Sequence, residues 1–165
     1  WRRGSAGVSY FGARRVVKSG CVDFRDRLHD LVEERDLNRT QVAKEMGVDY
    51  RSFSNAYNYG ILPKPVVLAR MADYFRVPLA YLLGRSDNDA FTPAARPESF
   101  HERLETLRAE KGVTFYKVAK ACHFDKSCIS KWYALRQMPS FEILELLADY
   151  FQVSPDYLLG RSDDR

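Results

Sequence analysis

The sequence of 165 residues has a hydrophobic fraction of 45% and a charged fraction of 29%, and these values are typical of a soluble globular protein. It contains no apolar stretch of the roughly 18 residues that a membrane-spanning helix needs, so we expect a cytoplasmic protein with no membrane contact. Its three cysteines are too few for a disulfide framework, and they fit a reducing compartment.

The first segment in chain order is a basic leader, residues 1–23, which carries the whole net charge of +4. The remaining residues are neutral on balance, so the total charge is no argument for a nucleic-acid partner. The leader lacks the continuous apolar core and the small-residue cleavage site of a secretory signal. We expect it to have little defined structure.

Residues 24–88 are predicted to form five helices. Apolar residues at helical spacing predict a first helix that begins at Phe24 and ends near Asp36. The other four are predicted from capping residues and prolines: 39–46 after Asn38, 50–58 after Asp49, a fourth helix that begins at Pro63 and Pro65, and a short fifth helix from Pro78 through Leu83. Gly47 permits the positive φ of a tight turn between the second and third helices. Because no strand-length alternation stands out, we expect an all-α protein.

The chain contains an internal duplication. An offset of 76 residues aligns Phe24–Asn88 with Phe100–Asp164 without a gap, and about 25 of the 65 aligned positions are identical. The residues between the copies, 89–99, include two prolines and three alanines and are predicted to form a linker. We therefore expect a second five-helix domain over 100–165. Its predicted buried residues are Val118, Ala119, Cys122, Ile129, Leu144, Leu147, Ala148 and Phe151.

The residues around the tight turn carry a recognisable pattern. In the first copy it is the sequence LNRTQVAKEMGVD at Leu37–Asp49, and in the second copy it is ISKW at Ile129–Trp132 followed by Pro139 and Ser140. Both copies end with ADYFxV and YLLGRSD. These motifs resemble lambda-repressor-like regulators of the Cro/XRE type. The resemblance implies two tandem five-helix helix-turn-helix domains joined by a short Pro/Ala linker.

The resemblance also implies a sequence-specific regulator that binds double-stranded DNA, with the helices at 50–58 and 126–134 in the major groove. The implied base-contacting residues are Tyr50, Arg51 and Asn55 in the first copy and Lys126, Ser127 and Lys131 in the second. The implied phosphate-contacting residues are Arg39, Thr40, Gln41 and Asn58 in the first copy and Tyr116, Lys117 and Arg136 in the second. We expect repression of a promoter, with the leader either a basic arm along DNA or upstream sequence.

The two copies differ in charge and in their departures from the family pattern. Thr114–Ser140 carries a local charge of +4, whereas Asn38–Lys64 carries +2. In the second copy Phe115 stands where the family has a polar residue at the DNA backbone, and His123 replaces the turn glycine. Histidine tolerates positive φ better than most residues, so we expect the turn to be kept. The second copy is the more cationic DNA-binding candidate, while the first reads different bases or serves as a packing surface.

Other functions are weaker hypotheses. A protein-interaction module, or an antitoxin-like adaptor that keeps the fold, is the alternative, because the third helix of the first copy is rich in aromatic residues. An enzyme is not expected, because the histidines have no partner nucleophile or paired carboxylates. Cys122, His123 and Cys128 lack a second ligand pair, so neither a metal nor another cofactor is expected. Besides DNA, the expected partners are a second copy or an intramolecular pseudo-dimer, and a protein partner.

Overall fold

The structure is a computed structural model that describes residues 23–165. Within this range it contains ten α-helices and no strand, so the predicted all-α class is confirmed there. None of these helices is long and apolar enough to cross a membrane. The expectation of a leader with little structure falls, apart from Asp23, on residues outside the described range.

The first five helices begin close to the positions predicted from caps and prolines. They are α1 (Phe24–Glu33), α2 (Arg39–Met46), α3 (Tyr50–Tyr59), α4 (Pro65–Phe75) and α5 (Leu79–Leu82). The side chains of Asp23, Asn38 and Asp49 each accept a hydrogen bond from a backbone N–H in the first turn that follows. These bonds satisfy donors that have no partner inside the helix, and so they fix where α1, α2 and α3 begin.

The next five helices repeat this order. They are α6 (Phe100–Lys111), α7 (Phe115–Ala121), α8 (Lys126–Leu135), α9 (Phe141–Phe151) and α10 (Pro155–Leu158). Each begins 76 residues after its counterpart among α1–α5. Thr114 caps α7 and Asp125 caps α8 through their side chains, as the sequence predicts.

The first helix is shorter than predicted. The predicted end near Asp36 was wrong by three residues, because α1 ends at Glu33. Beyond it the N–H of Arg35 donates to the carbonyl of Val32 at 3.0 Å in a tighter turn. The counterpart helix α6 runs on to Gly112, which closes it at φ 64°. A residue without a Cβ adopts this left-handed conformation at little cost, and the first copy has Asp36 at that position.

The described chain divides into two compact units, one of residues 23–63 and 70–89 and the other of residues 64–69 and 90–165. We call them unit 1 and unit 2. In unit 1, α1 packs against α3 and α5, and α2 packs against α3. In unit 2, α7 packs against α8 and α9, while α6 and α9 pack against α10. The predicted core residues of unit 2 are buried except for Phe151, which is partly exposed with its ring edge-on to that of Tyr150.

Each unit buries an arginine that the sequence did not single out. Arg27 on α1 is 1% exposed, lies over the ring of Tyr81 at 4.0 Å and forms an ion pair with Asp87 at 3.0 Å. In unit 2, the equivalent Arg103 lies over Tyr157 at 4.3 Å and pairs with Asp163 at 2.7 Å and Glu98 at 2.5 Å. A buried guanidinium needs such partners, because an uncompensated buried charge is costly. These contacts fasten the first helix of each unit to the residues after its last helix.

The turn between α7 and α8 contains a residue other than glycine in the left-handed conformation. His123 has φ 59°, and Gly47 at the same place between α2 and α3 has φ 68°. The prediction that histidine keeps this turn is confirmed. The backbone path between the two helices is therefore preserved, at the cost of left-handed strain on a residue with a Cβ.

Replacing this histidine should make unit 2 more stable. We expect His123→Gly to raise the free energy of unfolding by about 0.5–1 kcal/mol, because the relief of left-handed strain exceeds the added chain entropy of glycine. Urea unfolding followed by the fluorescence of Trp132, which is buried in unit 2, measures the change. A lower midpoint for the variant would contradict the argument.

The predicted linker, residues 89–99, contains no helix. Its later part is bonded to the end of unit 2: the N–H of Ala94 donates to the carbonyl of Arg161 at 2.8 Å, and the N–H of Ala95 donates to Oδ2 of Asp163 at 2.9 Å. Gly160 lies against the backbone of Glu98, where a Cβ would overlap the carbonyl oxygen. This stretch is thus held by specific contacts within unit 2.

Candidate nucleic-acid interface

Helices α7 and α8 form a compact helix-turn-helix in unit 2. Val118 and Ala119 on α7 and Ile129 and Trp132 on α8 are all buried, so each helix turns one face to the core. The left-handed turn at His123 and the cap at Asp125 set the direction in which α8 starts. The opposite face of α8 is consequently left for solvent or a partner.

The three residues that the sequence assigns to base contacts in unit 2 are all exposed. Lys126 and Ser127 lie in the first turn of α8, and Lys131 lies one turn further along. Tyr116, with 60% of its side chain exposed, and Lys117 lie in the first turn of α7. The exposed side chains of Lys126, Ser127 and Lys131 therefore offer two ammonium groups and a hydroxyl on the first two turns of α8.

Two further exposed polar residues of this surface were not assigned a DNA contact from the sequence. Ser130 lies on α8 four residues after Lys126, and Lys120 lies on α7 three residues after Lys117. Residues three or four apart share a face of a helix, so this spacing is the signal that would have found them. Together with the predicted residues they form a surface with positive charge on both helices.

The N-terminus of α8 is already occupied by its own cap. Asp125 Oδ1 accepts from the N–H of Ser127 at 2.7 Å. The pKa of Asp125 lies below its usual value, first because of its hydrogen bonds with Ser127 and also because of the nearby charges of Lys131 and Lys126. An anion is therefore met by the lysine side chains rather than by an open set of backbone donors.

Arg136 lies apart from the lysines, at the left-handed end of α8 with φ 51°. It lines an open cavity with a volume of about 570 Å³, whose other charged lining residues are Glu98, Glu102 and Glu105. Hydrogen bonds with Ser99 are the main cause that lowers the pKa of Glu102, and the charge of Arg136 contributes. The phosphate contact assigned to Arg136 stays a prediction, and the surrounding carboxylates oppose it.

The predicted base-contacting residues of unit 1 are of mixed exposure. Tyr50 is 47% exposed and Arg51 is exposed, while Asn55 is half-buried. The ring of Tyr50 lies 6.4 Å from that of Phe53, which belongs to the core. Because the first turn of α3 offers an aromatic ring and one guanidinium, its chemistry differs from that of α8.

Most of the predicted phosphate-contacting residues of unit 1 have partners within the unit. Arg39 Nη1 donates to Oδ1 of Asn58 at 3.4 Å, and the Arg39 guanidinium lies 5.2 Å from the ring centre of Tyr57. The Gln41 side chain accepts from the N–H of Asn38 at 3.2 Å in a capping box. Thr40 is exposed. The structure thus brings Arg39 and Asn58 together, while Gln41 serves the start of α2.

Cys122 and Cys128, the cysteines within the described range, are not grouped with other metal-ligating side chains. Cys122 is buried, and burial raises the pKa of its thiol. Cys128 is half-buried on α8. Among the residues that the structure describes, there is no group of three or more histidine, cysteine, aspartate or glutamate side chains arranged to hold a metal ion.

Comparison with protein families shows which kind of domain contains α7 and α8. Residues 100–158, which run from α6 to the end of α10, match the family model described as helix-turn-helix domain. The described chain is thus an all-α protein with a helix-turn-helix domain in unit 2.

A characterised relative carries the same kind of domain. The chain is 33% identical over 61 residues to the HTH-type transcriptional activator BcrR of Enterococcus faecalis. The aligned part covers 37% of this chain and 30% of that protein, so the chain spans less than a third of the relative's length. No solved structure gives a significant match. These comparisons support a helix-turn-helix regulator.

Proposed function

We propose that this protein is a transcriptional regulator that binds double-stranded DNA sequence-specifically, with α8 of unit 2 in the major groove. The observation that carries the proposal is the exposed pair Lys126 and Lys131 on the second helix of a matched helix-turn-helix. Lysine donates to the O6 and N7 acceptors of guanine, which the major groove presents. Ser127 adds a short hydroxyl that pairs with either donors or acceptors.

The phosphate contacts of unit 2 belong, on this proposal, to Lys117 and Tyr116 on α7. Both are exposed in the first turn of that helix. In helix-turn-helix proteins the helix before the reading helix crosses the DNA backbone. Lys120 lies on the same helix and adds a third side chain within reach of the anionic backbone.

Unit 1 is proposed as a second reading domain, which makes the chain a tandem of two Cro/XRE-type domains. Its helices α2 and α3 begin at the positions equivalent to α7 and α8. Tyr50, Arg51 and Asn55 are its proposed base contacts, and Asn suits the N6 and N7 atoms of adenine. One chain then supplies two DNA-reading helices as an intramolecular pseudo-dimer or within a homodimer.

Repression by promoter blocking, in the cytoplasm on the nucleoid, is the proposed mode of action. A DNA-bound domain that overlaps a promoter excludes polymerase without any further activity. The relative from Enterococcus faecalis is named an activator. A reporter gene behind the bound sequence decides the direction: reduced expression supports repression, and raised expression contradicts it.

Selection of bound duplexes from a random pool tests DNA binding itself. We expect an enriched sequence whose binding weakens steeply with salt, with a log–log slope of about −2.7 to −3.6 if about three to four phosphates are neutralised. Fluorescence anisotropy of a labelled duplex at several salt concentrations measures the slope. Absence of an enriched sequence, or affinity that does not change with salt, would contradict the proposal.

A protein-interaction module is the second candidate function. It is favoured by exposed apolar residues at the end of α3 and just after it, since Tyr59 is 72%, Ile61 55% and Leu62 40% exposed. Exposed apolar groups close together are typical of surfaces that bind another protein. Copurification of the chain with a protein partner, together with no affinity for any duplex, supports this function over the first.

A further inference from the structure

An apolar groove lies on the proposed DNA-reading side of unit 2. It has a volume of about 380 Å³ and is lined by Phe115, Tyr116, Lys126, Ile129, Ser130 and Tyr133. The rings of Phe115 and Tyr133 lie 5.6 Å apart, centre to centre. Lys126 and Ser130 are exposed polar residues of its lining, so an apolar space lies between side chains suited to hydrogen bonding.

The charge around the groove favours DNA as its occupant. Four exposed lysines lie on the two helices that form it: Lys117, Lys120, Lys126 and Lys131. On these helices and the turn between them, residues 115–135, Asp125 is the single carboxylate, and it caps α8. A polyanion such as DNA is attracted to such a surface, whereas a purely apolar partner chain would leave its charges without partners.

Two aromatic residues of this lining, Phe115 and Tyr116, are replaced by polar residues in unit 1. Arg39 stands at the position of Phe115, and Thr40 at that of Tyr116. Arg39 lies over Tyr57 at 5.2 Å, as Phe115 lies beside Tyr133. The tyrosine at this position therefore packs with a cation in unit 1 and with an apolar ring in unit 2, so the aromatic edge formed by Phe115 and Tyr116 is particular to unit 2.

We propose that this groove receives the 5-methyl group of a thymine, and so makes Phe115 a specificity-determining residue of unit 2, while Tyr116 keeps the phosphate contact proposed above. The inference rests on the proposed DNA-binding function. Among the groups that bases present in the major groove, the thymine methyl is the apolar one. Lys126 and Ser130, in the same lining, contact the edges of neighbouring bases, while the rings exclude water from the methyl group.

Replacement of thymine by deoxyuridine isolates this contact, because it removes the methyl group and keeps every hydrogen-bonding group. In the duplex obtained by selection, each thymine is replaced in turn and the affinity of the full chain is measured by anisotropy. We expect one position to lose about three- to four-fold, the equivalent of the burial of one carbon group. The other positions should lose less than two-fold.

Protein variants connect the lost affinity to the groove. Phe115→Arg places in unit 2 the residue that unit 1 has at this position, and it should make the thymine and deoxyuridine duplexes bind equally. Phe115→Ser is a second variant with the same expected result. Leu146→Arg is the matched control, because Leu146 is exposed at 44% on α9, outside the groove lining. It should keep the three- to four-fold ratio.

The outcomes separate this inference from the function on which it rests. Salt-dependent binding of the selected duplex with no loss at any deoxyuridine overturns the methyl contact and leaves DNA binding standing. A loss of affinity on deoxyuridine replacement that persists in both Phe115 variants also overturns it. So does a duplex in which no thymine methyl contributes and only 5-methylation of a cytosine raises the affinity. If no duplex binds at all, both the proposed function and the inference fail.

Discussion

Replacing Lys131 by alanine should weaken binding of the selected duplex by about 5- to 150-fold, which corresponds to roughly 1–3 kcal/mol. Lys131 is exposed on α8, one turn beyond the first two residues of that helix. A side chain at this place reaches a base edge when α8 lies in the major groove. Anisotropy titrations of variant and unchanged protein at one salt concentration measure the loss.

The salt dependence and a control variant show how Lys131 acts. A base contact lowers affinity for the selected sequence and reduces its preference over other sequences. A phosphate contact weakens all sequences alike and reduces the salt slope by about one. Arg96→Ala removes one exposed positive charge from residues 89–99 and should leave affinity within two-fold. Equal losses in the two variants would mean that only total charge matters, which would contradict a specific role for Lys131.

Replacing Gly160 by alanine should destabilise unit 2 by about 2–5 kcal/mol. Gly160 has φ 73°, where a Cβ adds strain of roughly 1–2 kcal/mol, and that Cβ would also overlap the carbonyl oxygen of Glu98. Backbone cannot turn aside as a flexible side chain does, so overpacking adds about 1–3 kcal/mol. The midpoint of urea unfolding, followed by the fluorescence of buried Trp132, measures the effect.

Gly112→Ala is the matched control for this experiment. Gly112 has φ 64° in the same unit, and a Cβ there meets no atom within 4 Å. It should therefore show the left-handed strain alone, about 1–2 kcal/mol. Equal destabilisation by the two substitutions would show that the contact between Gly160 and Glu98 contributes nothing to the stability of unit 2.

Local signals in the sequence predicted the helices well. Each cap residue bonds within about three residues of itself, so Asn38, Asp49, Thr114 and Asp125 fixed the starts of four helices without knowledge of the tertiary fold. The end of α1 was predicted less well, because a helix end depends on whether the following residue adopts a left-handed conformation. Asp36 does not close a helix there as Gly112 does.

Contacts between distant residues were not predictable in the same way. Arg103 reads as a surface residue in its own helix, since arginine is mostly exposed in proteins, yet it is 4% exposed. Its partner Asp163 lies 60 residues away. The signal in the sequence is that Arg, Tyr and Asp occur at equivalent positions in both copies. A comparison of the copies does not distinguish these three positions from the other identical ones.

The candidate site was predictable in its positions and not in its surroundings. The motif located Lys126, Ser127 and Lys131, and all three are exposed. It gave no information on the carboxylates beside Arg136 or on the intramolecular partner of Asn58, because those arise from side-chain packing. The base and phosphate contacts themselves stay predictions until a duplex is tested.

The buried arginines of the two units bear on how a binding site should be sought. Arg27 and Arg103 keep the same aromatic and acidic partners in both units, whereas the exposed starts of α3 and α8 carry Tyr50 and Arg51 in one and Lys126 and Ser127 in the other. Because the two units share their internal contacts and differ in their exposed helix starts, a chain that binds DNA as an intramolecular pseudo-dimer should have an operator with two dissimilar halves. A genome search for inverted repeats would then pass over it, and probes should combine two unrelated motifs.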